Sequence, residues 1–175
     1  MSTHPARILV YGVTGSGKTT LARRLGERLG LPWHSVDDLT WEPGWVQVPP
    51  ELQRRRIEAI CAQDRWILDH AYGAWLDVPL ARAELVVGLD FPRWLSLGRL
   101  LRRTLVRLIR RDRVCNGNVE SLRVSLSKDS IVLWHFSSYA SKRDRMRRWR
   151  ADPGKPEVLL FRRPRELEAW LRTLG

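Results

Sequence analysis

Gly12-Val13-Thr14-Gly15-Ser16-Gly17-Lys18-Thr19 directly follows the apolar run Ile8-Leu9-Val10-Tyr11 and fills every fixed position of the pattern G-x-x-x-x-G-K-[ST]. That spacing suits one task, holding the oxygens of a nucleoside triphosphate. Such a group needs several N–H donors converging at short range, and glycines allow the φ values and close approach this demands. The helix expected to open at Gly17 adds the positive end of its dipole beneath the phosphates. Lys18 is expected to carry its ammonium to the β- and γ-phosphates and the Thr19 hydroxyl to sit on Mg²⁺. Gly12, Thr14, Gly15, Ser16, Gly17 and Thr20 complete the residues assigned to ATP.

Carboxylates at the ends of expected strands form a second set. Asp37 and Asp38 follow His34-Ser35-Val36, Asp69 follows Trp66-Ile67-Leu68, and Asp90 follows Leu85-Val86-Val87-Gly88-Leu89. In α/β sheets ligands gather beyond the carboxyl ends of the strands. Asp37 is therefore expected at the metal, in catalysis and, with Asp38, at the acceptor, and Asp69 in catalysis, on Mg²⁺ through water or against the acceptor. Asp90 fits equally well as a cap for a helix beginning at Pro92. His70 beside Asp69 reads as structural.

Arginine supplies the third set. The stretch 93–112 carries Arg99, Arg103, Arg107 and Arg110 beside Leu97, Leu101, Leu105 and Leu108 at helical spacing. Planar guanidinium groups match the oxygens of a phosphoryl group in transfer, so Arg99 and Arg103 are expected there. Arg143 is expected to reach the acceptor from a closing lid. Trp41 and Trp45, in a Pro/Gly loop after the acidic pair, are placed as an apolar wall for an acceptor ring, whereas the other seven of nine tryptophans read as core.

These side chains need a scaffold, and the chain alternates strand and helix almost throughout. Strands are expected at 7–11, 33–37, 66–69, 85–90 and 158–161. Helices are expected at 17–29, 50–63, 74–82, 92–112, 127–149 and 164–173. Short, continuously apolar strands separated by helices imply a parallel sheet covered on both faces. With 175 residues and 43% apolar content, one folded domain over 1–175 is expected. Its moving parts are expected to be a substrate segment over 40–64 and an arginine-rich, lid-like segment over 104–145.

Composition narrows the classes. No apolar run approaches the ~18 residues of a transmembrane helix, and the first strand follows the start too closely for a signal peptide. Cys61 and Cys115 lack metal or redox spacing, which points to reduced thiols and a cytoplasmic protein. No Asn-Lys-x-Asp motif reads a guanine base. The net charge is +12, and of 31 basic residues only four are lysine. Such a field attracts polyanions, so nucleic-acid association stands as an alternative. Either a monomer or a homodimer is compatible with the sequence.

With these positions fixed, the chain resembles the adenylate kinase group of P-loop kinases. Within it, the resemblance is nearest to the small adenylate-kinase-like proteins labelled DNA topology modulation proteins. Besides the phosphate loop, Arg65-Trp66-Ile67-Leu68-Asp69-His70 looks like the group's strand ending in Asp-Gly, and Leu89-Asp90-Phe91-Pro92 like the strand after it. Arg99 and Arg103 stand nine and thirteen residues beyond Asp90, where that group places lid-base arginines. Arg163-Pro164 occupies the place of a turn against the adenine. The resemblance implies an α/β P-loop NTPase fold, three layers around a five-stranded parallel sheet in the order 2-3-1-4-5. It also implies ATP and Mg²⁺ as cofactors and phosphoryl transfer to a small-molecule acceptor.

One departure is informative. The group's Asp-Gly-Phe-Pro-Arg is replaced by Asp69-His70-Ala71-Tyr72-Gly73, which lacks the arginine that grips a monophosphate. Asp37-Asp38 instead resembles the acidic pair of shikimate-type and gluconate-type kinases. An ionised phosphate acceptor needs no base, whereas a hydroxyl benefits from a carboxylate, so the pair favours a hydroxyl or an unusual acceptor.

Overall fold

The computed structural model describes residues 4–70, 74–110, 113–114, 118–119 and 131–174. Alternation along the first strand, β1 (Arg7–Gly12), sets the layering. Ile8 and Val10 face one side of the sheet, Leu9 and Tyr11 the other, and all four are fully buried. A strand apolar on both faces needs cover on both. Helices α1 (Lys18–Leu29) and α7 (Pro164–Arg172) cover the first face through Leu21, Leu25, Leu167 and Leu171. Helices α3 (Pro50–Cys61) and α6 (Ile131–Ala151) cover the second through Ile57, Ile60, Met146 and Trp149. Each such side chain removed from water contributes about 1.5–3 kcal/mol before ordering costs.

Four more strands complete the main sheet: β2 (Trp33–Ser35), β3 (Trp66–His70), β4 (Leu85–Leu89) and β5 (Glu157–Phe161). All neighbours are parallel, in the order β2-β3-β1-β4-β5, as anticipated. Strands on either side of β1 continue in opposite directions across the sheet, which opens a crevice at its carboxyl end. The register places Val10 opposite Asp69 and Gly12 opposite Leu89, so the loop after β1 lies between the ends of β3 and β4.

The second strand is shorter than the sequence pattern indicates. It ends at Ser35, and α2 (Val36–Thr40) follows at once, so Asp37 and Asp38 sit in a first helical turn rather than at a strand end. Carboxylates there offset the exposed N–H groups, which outweighs the apolar alternation that suggests a longer strand. Trp41–Glu42 and Val46–Gln47 then pair as a small antiparallel hairpin, closed by the Val48 N–H to Thr40 oxygen bond of 2.9 Å. Short helix α4 (Asp77–Leu80) and long helix α5 (Arg93–Arg110) complete the frame. Of the lid-like segment expected over 104–145, residues 111–112, 115–117 and 120–130 lie outside the described residues, and 131–145 belong to α6.

Candidate active site

The phosphate loop is closed by the Ser16 N–H donating to the Val13 oxygen at 3.2 Å. Gly15 and Gly17 take φ of +79° and +95°, the left-handed region where a side chain is strained. A Cβ on Gly15 would stand 2.3 Å from the Ser96 oxygen, so the loop lies directly against α5. Gly17 caps α1, leaving the first N–H groups of that helix at the loop. The Ser16 hydroxyl is buried and meets no hydrogen-bond partner among the described residues. The hollow thus holds donors in need of an acceptor.

Lys18 lies folded into this hollow, 8% exposed, its Nζ donating to the Val13 oxygen at 3.0 Å. Burial pulls its pKa down, opposed by the charges of Asp69 and Asp37 and reinforced by Arg103. Those causes show that the sequence-derived residues Lys18, Asp37, Asp69 and Arg103 share one electrostatic site. Thr19 Oγ1 donates to Asp69 Oδ2 at 2.5 Å. Burial raises the Asp69 pKa to about 6, against the lowering influence of Lys18 and the Thr19 bond, while Asp37 and Asp38 push it further up. Asp38 is exposed; partial desolvation raises its pKa, and the charge of Asp37 adds to the rise. Thr20 is exposed on α1.

Arg99 reaches the loop from α5, its Nη1 donating to the Ser16 oxygen at 3.2 Å while its guanidinium lies 5.4 Å from the Phe91 ring centre. Trp41 and Trp45 meet edge to face at 5.8 Å just beyond α2. Arg163 and Pro164 open α7 past the end of β5, with the Arg163 N–H held by Glu166 Oε2 at 3.1 Å. Arg143, expected to reach the acceptor, is paired in this structure with groups of the sheet end and its own helix. Its Nε bonds the buried Asp90 carboxylate, and its Nη1 donates to the Tyr139 hydroxyl at 3.0 Å. Asp90 accordingly anchors α6 to the sheet, with Arg147 at 3.3 Å and Arg162 at 3.8 Å as further partners.

Helix α6 adds residues that motif reading did not single out. His135 is fully buried, and its Nδ1 stands 3.0 Å from the Thr14 oxygen of the loop. Lys142 is 3% exposed, and the charges of Lys18 and Asp37 act on it. Arg145 Nη1 donates to the Tyr11 hydroxyl at 3.1 Å. The signal was available in the pattern: His135, Ser138, Tyr139, Lys142, Met146 and Trp149 recur at helical spacing on the buried face, and three of them are polar where apolar residues belong.

Solved structures share this architecture over almost the whole chain. A gluconokinase from Sinorhizobium meliloti aligns over 97% of this chain and 93% of its own, with TM-score 0.55 and 16% identity. A shikimate kinase from Bacteroides thetaiotaomicron aligns over 98% and 97%, with TM-score 0.56 and 15% identity. One from Acinetobacter baumannii, in complex with shikimate, aligns over 98% and 93%, with TM-score 0.57 and 19% identity. The chain shares the fold of these kinases. No protein-family model matches the chain. Among curated proteins, a stretch of 37 residues is 60% identical to a tRNA dimethylallyltransferase from Synechococcus sp. (strain CC9902), covering 21% of this chain and 12% of that protein. Among the described residues, no helix is long and apolar enough to cross a membrane.

Proposed function

We propose that the chain transfers the γ-phosphoryl group of ATP to a small-molecule acceptor. The observation that carries this reading is the meeting of Thr19 with Asp69 beside a phosphate loop that encloses Lys18. The P-loop kinase fold supports it.

In this reading the loop N–H groups and Lys18 bind the phosphates, and Arg99 and Arg103 face the charge that spreads over the transferred group. Asp37 and Asp38 orient the acceptor; for a hydroxyl acceptor one of them takes the proton. Trp41 walls the acceptor side, and Arg163 with Pro164 borders the nucleotide base. Three or more His, Cys, Asp or Glu side chains do not converge anywhere among the described residues, so a cage made wholly by protein is not the model for a metal here. Mg²⁺ nonetheless fits, because it takes one or two carboxylates and completes its shell with phosphate and water. Thr19 and Asp69 would hold it, with Asp37 beside them, and it would neutralise charge developing on the phosphate oxygens.

The test is acceptor-dependent ADP formation with Mg²⁺·ATP and a panel of nucleoside monophosphates, nucleosides and small hydroxyl compounds, with Lys18→Ala as the blank. Turnover lost in Lys18→Ala supports the reading, and equal turnover in that variant overturns the loop's role. A second reading, nucleic acid as the partner, draws on the net charge of +12 and the short match to a tRNA-modifying enzyme. Its mark is an affinity for RNA or DNA that falls steeply with salt.

A further inference from the structure

Lys142 is a buried ammonium with no hydrogen-bond partner among the described residues. The ring of Trp134, 5.5 Å from Nζ, is its aromatic neighbour. Withdrawal from water pulls the pKa of this amine down to about 7, and an arriving counter-ion favours its charged form. Two further cations border it, Lys18 and Arg145, and Asp37 is the anion whose charge acts on it. His70, at the end of β3, feels Lys18, Lys142 and Arg145 together, so these cations gather near the carboxyl end of β3.

Helix α5 brings its own set of contacts to this region. Arg99 holds the loop through the Ser16 oxygen, and Arg103 acts on Lys18 from the same helix. Lys142 belongs to α6, where His135 contacts the Thr14 oxygen and Arg145 contacts Tyr11. It lies in common with Asp37, which stands at the acceptor side of the site in the reading above.

We infer that Lys142 seats an oxyanion of the acceptor, a carboxylate or phosphate that is not the group being transferred. The acceptor class is thereby narrowed to small molecules carrying an anionic group besides the receiving oxygen. The inference rests on the kinase reading for the word acceptor, but the anion seat itself is measurable without turnover.

The protein is first saturated with Mg²⁺ and the non-hydrolysable analogue AMPPNP, so that the γ-phosphate position is filled. It is then titrated by calorimetry with inorganic phosphate, with acetate and with neutral acetamide. Phosphate or acetate is expected to bind and acetamide not, and the tighter of the two anions names the group. In Lys142→Met the Kd for that anion is expected to rise at least tenfold, with the Kd for Mg²⁺·AMPPNP within threefold of wild type. The same variant is expected to melt a few degrees higher, because a buried polar amine without a hydrogen-bond partner among the described residues has been replaced by an apolar chain. Binding of neither anion by wild type, an unchanged anion Kd in Lys142→Met, a large loss of AMPPNP affinity or a lower Tm would each overturn the seat. Anion binding that depends on Lys142, in a protein that forms no ADP with any acceptor, would keep the seat and remove the kinase reading.

Discussion

Thr19 Oγ1 donates to Asp69 Oδ2 across a separation of 50 residues, joining the first turn of α1 to the end of β3. The sheet register makes this contact unavoidable, since Asp69 lies opposite Val10, two residues before the loop begins. The pair presents two hard oxygens beside Lys18. Asp69→Ala is expected to lower Mg²⁺-dependent kcat/KM by roughly two to three orders of magnitude, the scale of losing one positioned group at a phosphoryl-transfer site. ATP binding measured without Mg²⁺ should change only a few-fold. Turnover that survives the substitution would assign the metal to Asp37 instead.

Burial of Asp69 also gives stability a pH signature. Its pKa is raised from 3.8 to about 6, so the folded state holds this proton more tightly than the unfolded state. The associated stability is present below pH 4 and is lost as pH rises through about 6. Across that window the apo protein should lose about 3 kcal/mol relative to Asp69→Asn, which has no such titration. Urea melts of both proteins between pH 4 and 8 check the sign. A difference that stays flat would mean that Asp69 is ionised throughout.

Two glycines with similar backbone angles should respond differently to alanine. Gly15 has φ +79°, and its added methyl would stand 2.3 Å from the Ser96 oxygen; Gly30 has φ +62° with nothing within 4 Å. Gly30→Ala is expected to cost about 1 kcal/mol from left-handed strain alone. Gly15→Ala adds a backbone clash and is expected to cost about 2–4 kcal/mol and at least tenfold in nucleotide affinity. Thermal melts with and without ATP separate the two contributions.

The Arg143 contact with Asp90 predicts a structural phenotype. The Asp90 carboxylate is buried, and Arg143 is its nearest partner. Arg143→Ala is expected to destabilise the fold by about 1–2 kcal/mol while leaving the Kd for ATP within twofold, since Arg147 and Arg162 remain near Asp90. A normal Tm with a raised KM for the acceptor would return Arg143 to the substrate site.

Legibility followed the range of the interaction. The phosphate loop is a local device, so its glycines, Lys18 and Thr19 could be read from eight consecutive residues. The parallel sheet was legible because strands buried on both faces are apolar throughout, as Ile67, Leu68, Val86 and Val87 are. The end of β2 was not, because Val36 continues an apolar pattern that a helical first turn at Asp37 and Asp38 overrides.

By itself the sequence determined the five sheet strands in chain order, the phosphate loop and the need for two covering layers, all of which depend on side-chain type and period. Only the tertiary structure decided which charges meet. Asp69 comes to Thr19 through the register of β3 on β1, Arg143 pairs with Asp90, and the face of α6 that carries Lys142 brings His135 to the loop. The physical reason is distance along the chain: electrostatic pairing in a buried site acts over a few ångströms in space, and residues fifty or more positions apart acquire that proximity only when the sheet and its covering helices close.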